Sequence, residues 1–137
     1  MQLVVLGLNH RSAAVEVRER FSFEKNEVES ALNRLYEYEK ISECVILSTC
    51  NRTEIYAVLE DVQSPKAYML DVLKHLKHAD TIDESAFFFY EEKACIEHLF
   101  RVSASLDSLV LGEGQILSQL KGAYIAAYSA GFTGTVF

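Results

Sequence analysis

Residues 43–59, ECVILSTCNRTEIYAVL, decide the architecture. Two apolar runs, Glu43 to Thr49 and Glu54 to Leu59, are rich in β-branched residues and bounded by polar ones, the pattern of buried strands. Only the few residues around Cys50 and Asn51 join them. A link that short cannot hold a crossover helix, so the two strands pair as an antiparallel hairpin.

Upstream, LVVLGL (residues 3–8) predicts a first buried strand, which the polar Asn9-His10-Arg11 closes into a loop. Val15 and Val17 then alternate with Glu16 and Arg18 until Glu19-Arg20 breaks the pattern, too briefly to assign an element. Val28, Ala31, Leu32, Leu35 and Tyr36 fall on one helical face, with Ser22 as a cap and Glu24 in the first turn. Downstream, Ser64-Pro65 starts a helix whose stripe is Met69, Val72, Leu73 and Leu76, and Ala86 to Tyr90 (AFFFY) predicts a fourth strand. The order β-α-β-β-α-β predicts an α+β fold, a ferredoxin-like sandwich with an antiparallel sheet. Two further helices, about 91–105 and 115–130, follow it; residues 107–115 separate them and Gly131 ends the second. The apolar ending GFTGTVF reads as a cut through a longer protein.

A chain of 137 residues fits one domain, and a net charge of −7 leaves no general nucleic-acid footprint. No apolar run approaches the ~20 residues of a membrane span. The start, MQLVVLGLNH, lacks the charged region of a signal peptide, and three scattered cysteines make no disulfide framework. These features predict a cytoplasmic protein with free thiols.

Four candidate zinc ligands, Cys44, Cys50, Cys95 and His98, fail on distance. Six strand rises of ~3.3 Å put Cys44 roughly 20 Å from Cys50, whereas two sulfurs on one zinc lie within about 4 Å. Gly112-Glu113-Gly114 is a fragment of a dinucleotide motif without its third glycine or its leading strand, and reads as a turn. Nucleophilic catalysis remains. Cys44 lies inside a strand and Cys95 on an apolar helix stripe, both core positions. Cys50 lies at a strand end with Arg52 two residues away, and a neighbouring cation favours the reactive thiolate. The residues alone leave Cys50 either a nucleophile or a plain turn cysteine, and His98 either a satisfied helix histidine or a partner in chemistry.

Together, GLNHRSAAVEVRERFSF (7–23), ILSTCNRTEIY (46–56) and HLFRVSASLDSLVLGEGQILSQLKGAY (98–124) resemble the N-terminal catalytic domain of glutamyl-tRNA reductase. The resemblance runs from Leu6 to about Tyr128. It implies an NADPH-dependent reductase that converts glutamyl-tRNA to glutamate-1-semialdehyde, the first step of tetrapyrrole (porphyrin) biosynthesis from glutamate. It implies Cys50 as the nucleophile that forms an enzyme thioester, and His98 as a second catalytic group. The substrate-binding positions it implies are Thr49, Cys50, Asn51, Arg52, Ser108, Glu113, Gly114, Gln115 and Gln119. Arg52 suits the glutamate side-chain carboxylate and Glu113 the α-ammonium. The sequence departs from the family at Ala14 and at Gly114, where proline is frequent. The resemblance further implies that residues 1–137 are one catalytic domain, that NADPH-binding and dimerisation domains lie downstream, and that no metal is used. The full enzyme is then expected to be a homodimer away from any membrane. The rival reading is a ferredoxin-like ligand-sensing or interaction module in which the cysteines are structural.

Overall fold

The computed structural model describes residues 1–104 and 115–137, apart from the Gln115 side chain. The elements in chain order are β1 (Gln2–Asn9), α1 (Val15–Phe21), α2 (Lys25–Leu35), β2 (Ile41–Ser48), β3 (Arg52–Leu59), α3 (Pro65–Leu76), β4 (Phe88–Glu91), α4 (Glu92–Ser103) and α5 (Gln115–Ser129). A single 3-10 turn, Glu84–Ala86, precedes β4. The four strands form one sheet in the order β2-β3-β1-β4, and every neighbouring pair is antiparallel. The α+β class and the antiparallel sheet expected from the sequence are both present.

The central hairpin is antiparallel as expected, with Ser48 opposite Thr53 and Val45 opposite Tyr56. All eight residues of β3 are buried, because helices cover both faces of the inner strands. Its alternation places Arg52, Glu54 and Tyr56 on one face and Thr53, Ile55 and Ala57 on the other. Leu32, Leu35, Met69 and Leu73 from α2 and α3 join Leu6, Leu8, Ile46 and Ile55 in one continuous core. α4 packs on β1, and α5 lies along the edge strand β2. There the Cys44 amide donates to the Phe132 carbonyl at 3.0 Å, which satisfies part of an otherwise open edge. The Glu43 carboxylate accepts from the amides of Gly134 (2.7 Å), Val136 (3.2 Å) and Phe137 (2.8 Å), so the end of the chain is tied to the same edge.

Several boundaries differ from expectation. The stretch from Val15, too short to assign by periodicity, is the helix α1, so two helices separate β1 from β2. Ser22 does not cap α2; it ends α1, its hydroxyl donating to the Glu19 carbonyl at 2.9 Å. Glu24 and Glu27 cap α2 instead, in a reciprocal pair in which the Glu24 amide donates to Glu27 Oε1 at 3.2 Å. Strand four begins at Phe88 rather than Ala86 because Asp83 accepts from the Ser85 amide (3.0 Å) and closes the 3-10 turn. Ala14 has φ −67° at the start of α1, close to the angle proline fixes, so alanine takes the same path there.

Gly7 stands in the middle of β1, between Glu54 of β3 and Phe88 of β4. A Cβ there would lie 2.7 Å from Phe88 Cζ, 2.9 Å from Glu54 Cγ and 2.9 Å from the Thr53 carbonyl oxygen. The missing side chain is what lets Glu54 lie flat beneath α4. Gly7→Ala is therefore expected to destabilise the domain by ~1–3 kcal/mol through overpacking, measured as a fall in the urea midpoint at unchanged slope. An unchanged midpoint would mean that the crowding does not exist.

Candidate functional site

The turn between β2 and β3 is shaped by Thr49. Its amide donates to the Arg52 carbonyl at 2.8 Å, and its Oγ1 accepts from the amides of Asn51 and Arg52, each at 3.2 Å. One hydroxyl thus holds the tip from inside, which leaves Cys50 and Asn51 as its two outermost residues. Cys50 is exposed, whereas Cys44 and Cys95 are buried. Burial pushes both buried thiols up to about 12, with the Glu54 and Glu92 carboxylates adding to the effect at Cys95. Among the described residues no cluster of His, Cys, Asp and Glu is arranged to hold a metal ion.

Two cavities meet at the tip. The larger, about 630 Å³, is lined by Phe23, Lys25, Ser48, Thr49, Cys50 and Gln119 among others. The smaller, about 330 Å³, is lined by Arg18, Glu19, Ser22, Thr49, Cys50 and Asn51. The cations that line the Cys50 cavities are therefore Lys25 and Arg18. Arg52 turns the other way, into the sheet face beneath α4. It is 2% exposed, and its Nη1 pairs with Glu54 Oε2 at 2.9 Å. The same oxygen takes a hydrogen bond from His98 Nε2 at 2.8 Å, and the Tyr56 hydroxyl donates to Glu54 Oε1 at 2.6 Å. Burial first, then the Glu54 charge, pushes the Tyr56 phenol far up, so it stays a donor.

Of the residues singled out by the sequence, the fold brings Thr49, Cys50, Asn51 and Gln119 together around the tip. Arg52 and His98 meet on Glu54 instead, and His98 lines a separate cavity with Asn9. Ser108, Glu113 and Gly114, with the Gly112-Glu113-Gly114 turn, lie outside the described residues, as does the Gln115 side chain.

Residues 6–137 match the model of a family described as glutamyl-tRNA(Glu) reductase, N-terminal domain. The chain belongs to this family. It is 41% identical over 138 residues to a glutamyl-tRNA reductase of Bacillus pumilus, a match that covers 100% of this chain and 30% of the relative. It is 43% identical over 137 residues to a glutamyl-tRNA reductase of Listeria welshimeri, covering 99% of this chain and 31% of the relative. The solved structure of glutamyl-tRNA reductase from Methanopyrus kandleri superposes with a TM-score of 0.77 at 30% identity, over 96% of this chain and 29% of that one. The chain thus spans about a third or less of the length of the relatives it matches.

Within this glutamyl-tRNA reductase domain, the residue the sequence reading passed over is Glu54. Its signal was present: Arg52, Glu54 and Tyr56 repeat at period two along a strand whose other residues, Thr53 apart, are apolar, so three polar groups share one face. A buried row of that kind must satisfy itself internally. The cysteine environments give a direct test. In the folded protein at neutral pH, iodoacetamide is expected to label Cys50 alone, and all three cysteines once denaturant is added, read by peptide mass spectrometry. Native labelling of Cys95 at a rate comparable to Cys50 would contradict the arrangement.

Proposed function

We propose that this chain is the catalytic, glutamate-recognising domain of a glutamyl-tRNA reductase, and that Cys50 takes the glutamyl group from glutamyl-tRNA as a thioester. The larger reaction would yield glutamate-1-semialdehyde, the first step of tetrapyrrole synthesis. The observation that carries this reading is the exposed Cys50 at the meeting of two cavities, in a chain whose other two thiols are buried.

In the proposed step the Cys50 thiolate attacks the ester carbonyl carbon. A C–S bond forms, the bond from the carbonyl carbon to the terminal ribose oxygen breaks, and that oxygen leaves with a proton; nothing is oxidised or reduced. Thr49 and Asn51 frame the thiol, and Gln119 supplies a neutral hydrogen bond across the larger cavity. Arg52 is assigned the glutamyl side-chain carboxylate. A guanidinium has five N–H donors in a planar fork, the geometry that matches a carboxylate, and Nη1 already meets one in Glu54. A neutral glutaminyl group would leave that cation poorly matched, which favours glutamate. Ser108, Glu113, Gly114 and Gln115 are assigned to the same substrate, with Glu113 answering its α-ammonium. His98 is assigned the orientation of the ester, or the relay to the leaving ribose oxygen of the proton that Cys50 gives up in becoming a thiolate. As the ion-pair partner of Arg52, Glu54 accepts the hydrogen on Nε2, which leaves Nδ1 as the nitrogen able to accept a proton.

NADPH is the hydride source this reading implies, and the described residues do not fit it. The sheet is antiparallel throughout, and the described glycines stand in a strand (Gly7), in a helix (Gly122) and after it (Gly131, Gly134). None forms the strand-to-helix turn that cradles a pyrophosphate. NADPH binding and dimerisation are accordingly assigned to residues beyond this chain, and the chemistry of this chain ends at the thioester. The strand order β2-β3-β1-β4, with helices between β1 and β2 and between β3 and β4, supports a ferredoxin-like sandwich with one extra helix between β1 and β2 and the C-terminal helices α4 and α5 after it. Among the described residues no helix is long and apolar enough to cross a membrane, and a cytoplasmic location is proposed.

The test is label transfer. Glutamyl-tRNA carrying labelled glutamate is expected to leave a thiol-sensitive adduct on the wild type and on Cys95→Ser, and none on Cys50→Ser. Adding NADPH to the 137 residues should release no aldehyde. Label that survives Cys50→Ser would remove Cys50 as nucleophile, and no adduct on any form would favour a non-catalytic binding module.

A further inference from the structure

The cavity that His98 lines contributes only His98 to the step above. It measures about 470 Å³, within the ~300–1,000 Å³ of small-ligand sites, and is lined by Asn9, Arg11, Phe88, Tyr90, His98 and Arg101 among others. The Phe88 and Tyr90 rings stack at 5.3 Å with 28° between their planes, and the His98 ring lies 4.8 Å from one and 5.1 Å from the other. Tyr90 is nonetheless 37% exposed, a large share for an aromatic ring already in a stack. Arg11 and Arg101 are exposed beside it, and among the described residues the one carboxylate on the lining is Glu97.

Aromatic faces beside guanidinium groups suit an unpaired nucleotide: the base stacks and the phosphate pairs with arginine. The cavity also lies at the right end of the sheet. Asn9 stands directly opposite Arg52 across the β1–β3 pair, one strand spacing of ~4.8 Å away, and Arg52 is two residues from Cys50.

We propose that this cavity binds an unpaired nucleotide of the tRNA acceptor end, its base on Tyr90 and its phosphate against Arg101, while the ester reaches Cys50. The proposal rests on the reading that glutamyl-tRNA is the substrate. It gives an acidic domain a local means of holding RNA, and it ties the RNA grip to the ring of His98.

The experiment is equilibrium binding at one fixed salt concentration. The ligands are uncharged glutamate tRNA, the same tRNA with its unpaired 3′ nucleotides removed, and NADPH. For intact tRNA, Tyr90→Ala is expected to bind roughly 5- to 100-fold more weakly, in line with the ~1–3 kcal/mol of one base stack. Tyr90→Phe keeps the ring and should bind as the wild type does. Arg101→Ala, on the exposed side of α4, should also weaken binding. Trimmed tRNA should bind equally to all four proteins. Two results would overturn the proposal: variants that bind intact tRNA as the wild type does, or variants that lose the same factor on trimmed tRNA. NADPH binding that is lost in Tyr90→Ala while tRNA binding persists would overturn it too, by making the nucleotide the cofactor's own. Because the tRNA is uncharged, these outcomes stand apart from whether Cys50 accepts label.

Discussion

A fully buried carboxylate is costly unless its oxygens are met, and Glu54 is met three times, by Arg52, His98 and Tyr56. Much else in the domain follows from that constraint. Gly7 has no side chain, so the carboxylate has room. α4 is fixed at one depth and rotation on the sheet because His98 must reach Oε2. Arg52 is drawn inward from the start of β3, which leaves Thr49 to organise the turn and Cys50 to stand outside it. Removing one member of such a set leaves the others buried and unpaired, a loss of ~3–5 kcal/mol in comparable sites.

The geometry separates two tasks. The hairpin tip, with its cavities on either side, is where a substrate can meet a thiol. The sheet face under α4 is where Arg52 and His98 are held, both on Glu54. Under the proposed function, the hairpin tip is where the acyl group would be captured.

Much of this was legible in the sequence, and for identifiable reasons. The central strands are continuous apolar runs with a link too short for a crossover, so their pairing could be read directly from ECVILSTCNRTEIYAVL. Cys44 and Cys95 sit on apolar stripes and proved buried. α1 was not legible because seven residues give fewer than two turns of periodicity, and its last, Phe21, is the one that is buried. The direction taken by Arg52 was not legible either. Adjacency in sequence suggested a cation beside Cys50, but Cys50 lies in the turn outside β3, while Arg52 shares a strand face with Glu54, whose carboxylate holds the guanidinium there. The cations that share a cavity with Cys50, Lys25 and Arg18, come from helices that no local pattern links to the hairpin.

The central claim is that Glu54 sets the reactivity of the tip by fixing Arg52 and His98. The rate of Cys50 acylation by glutamyl-tRNA in Glu54→Gln, measured at a temperature where thermal unfolding shows the variant folded, tests it most directly. Misplaced by the loss of the shared charge, Arg52 and His98 should slow acylation on the order of 10²-fold. A folded Glu54→Gln that is acylated at the wild-type rate would contradict the account.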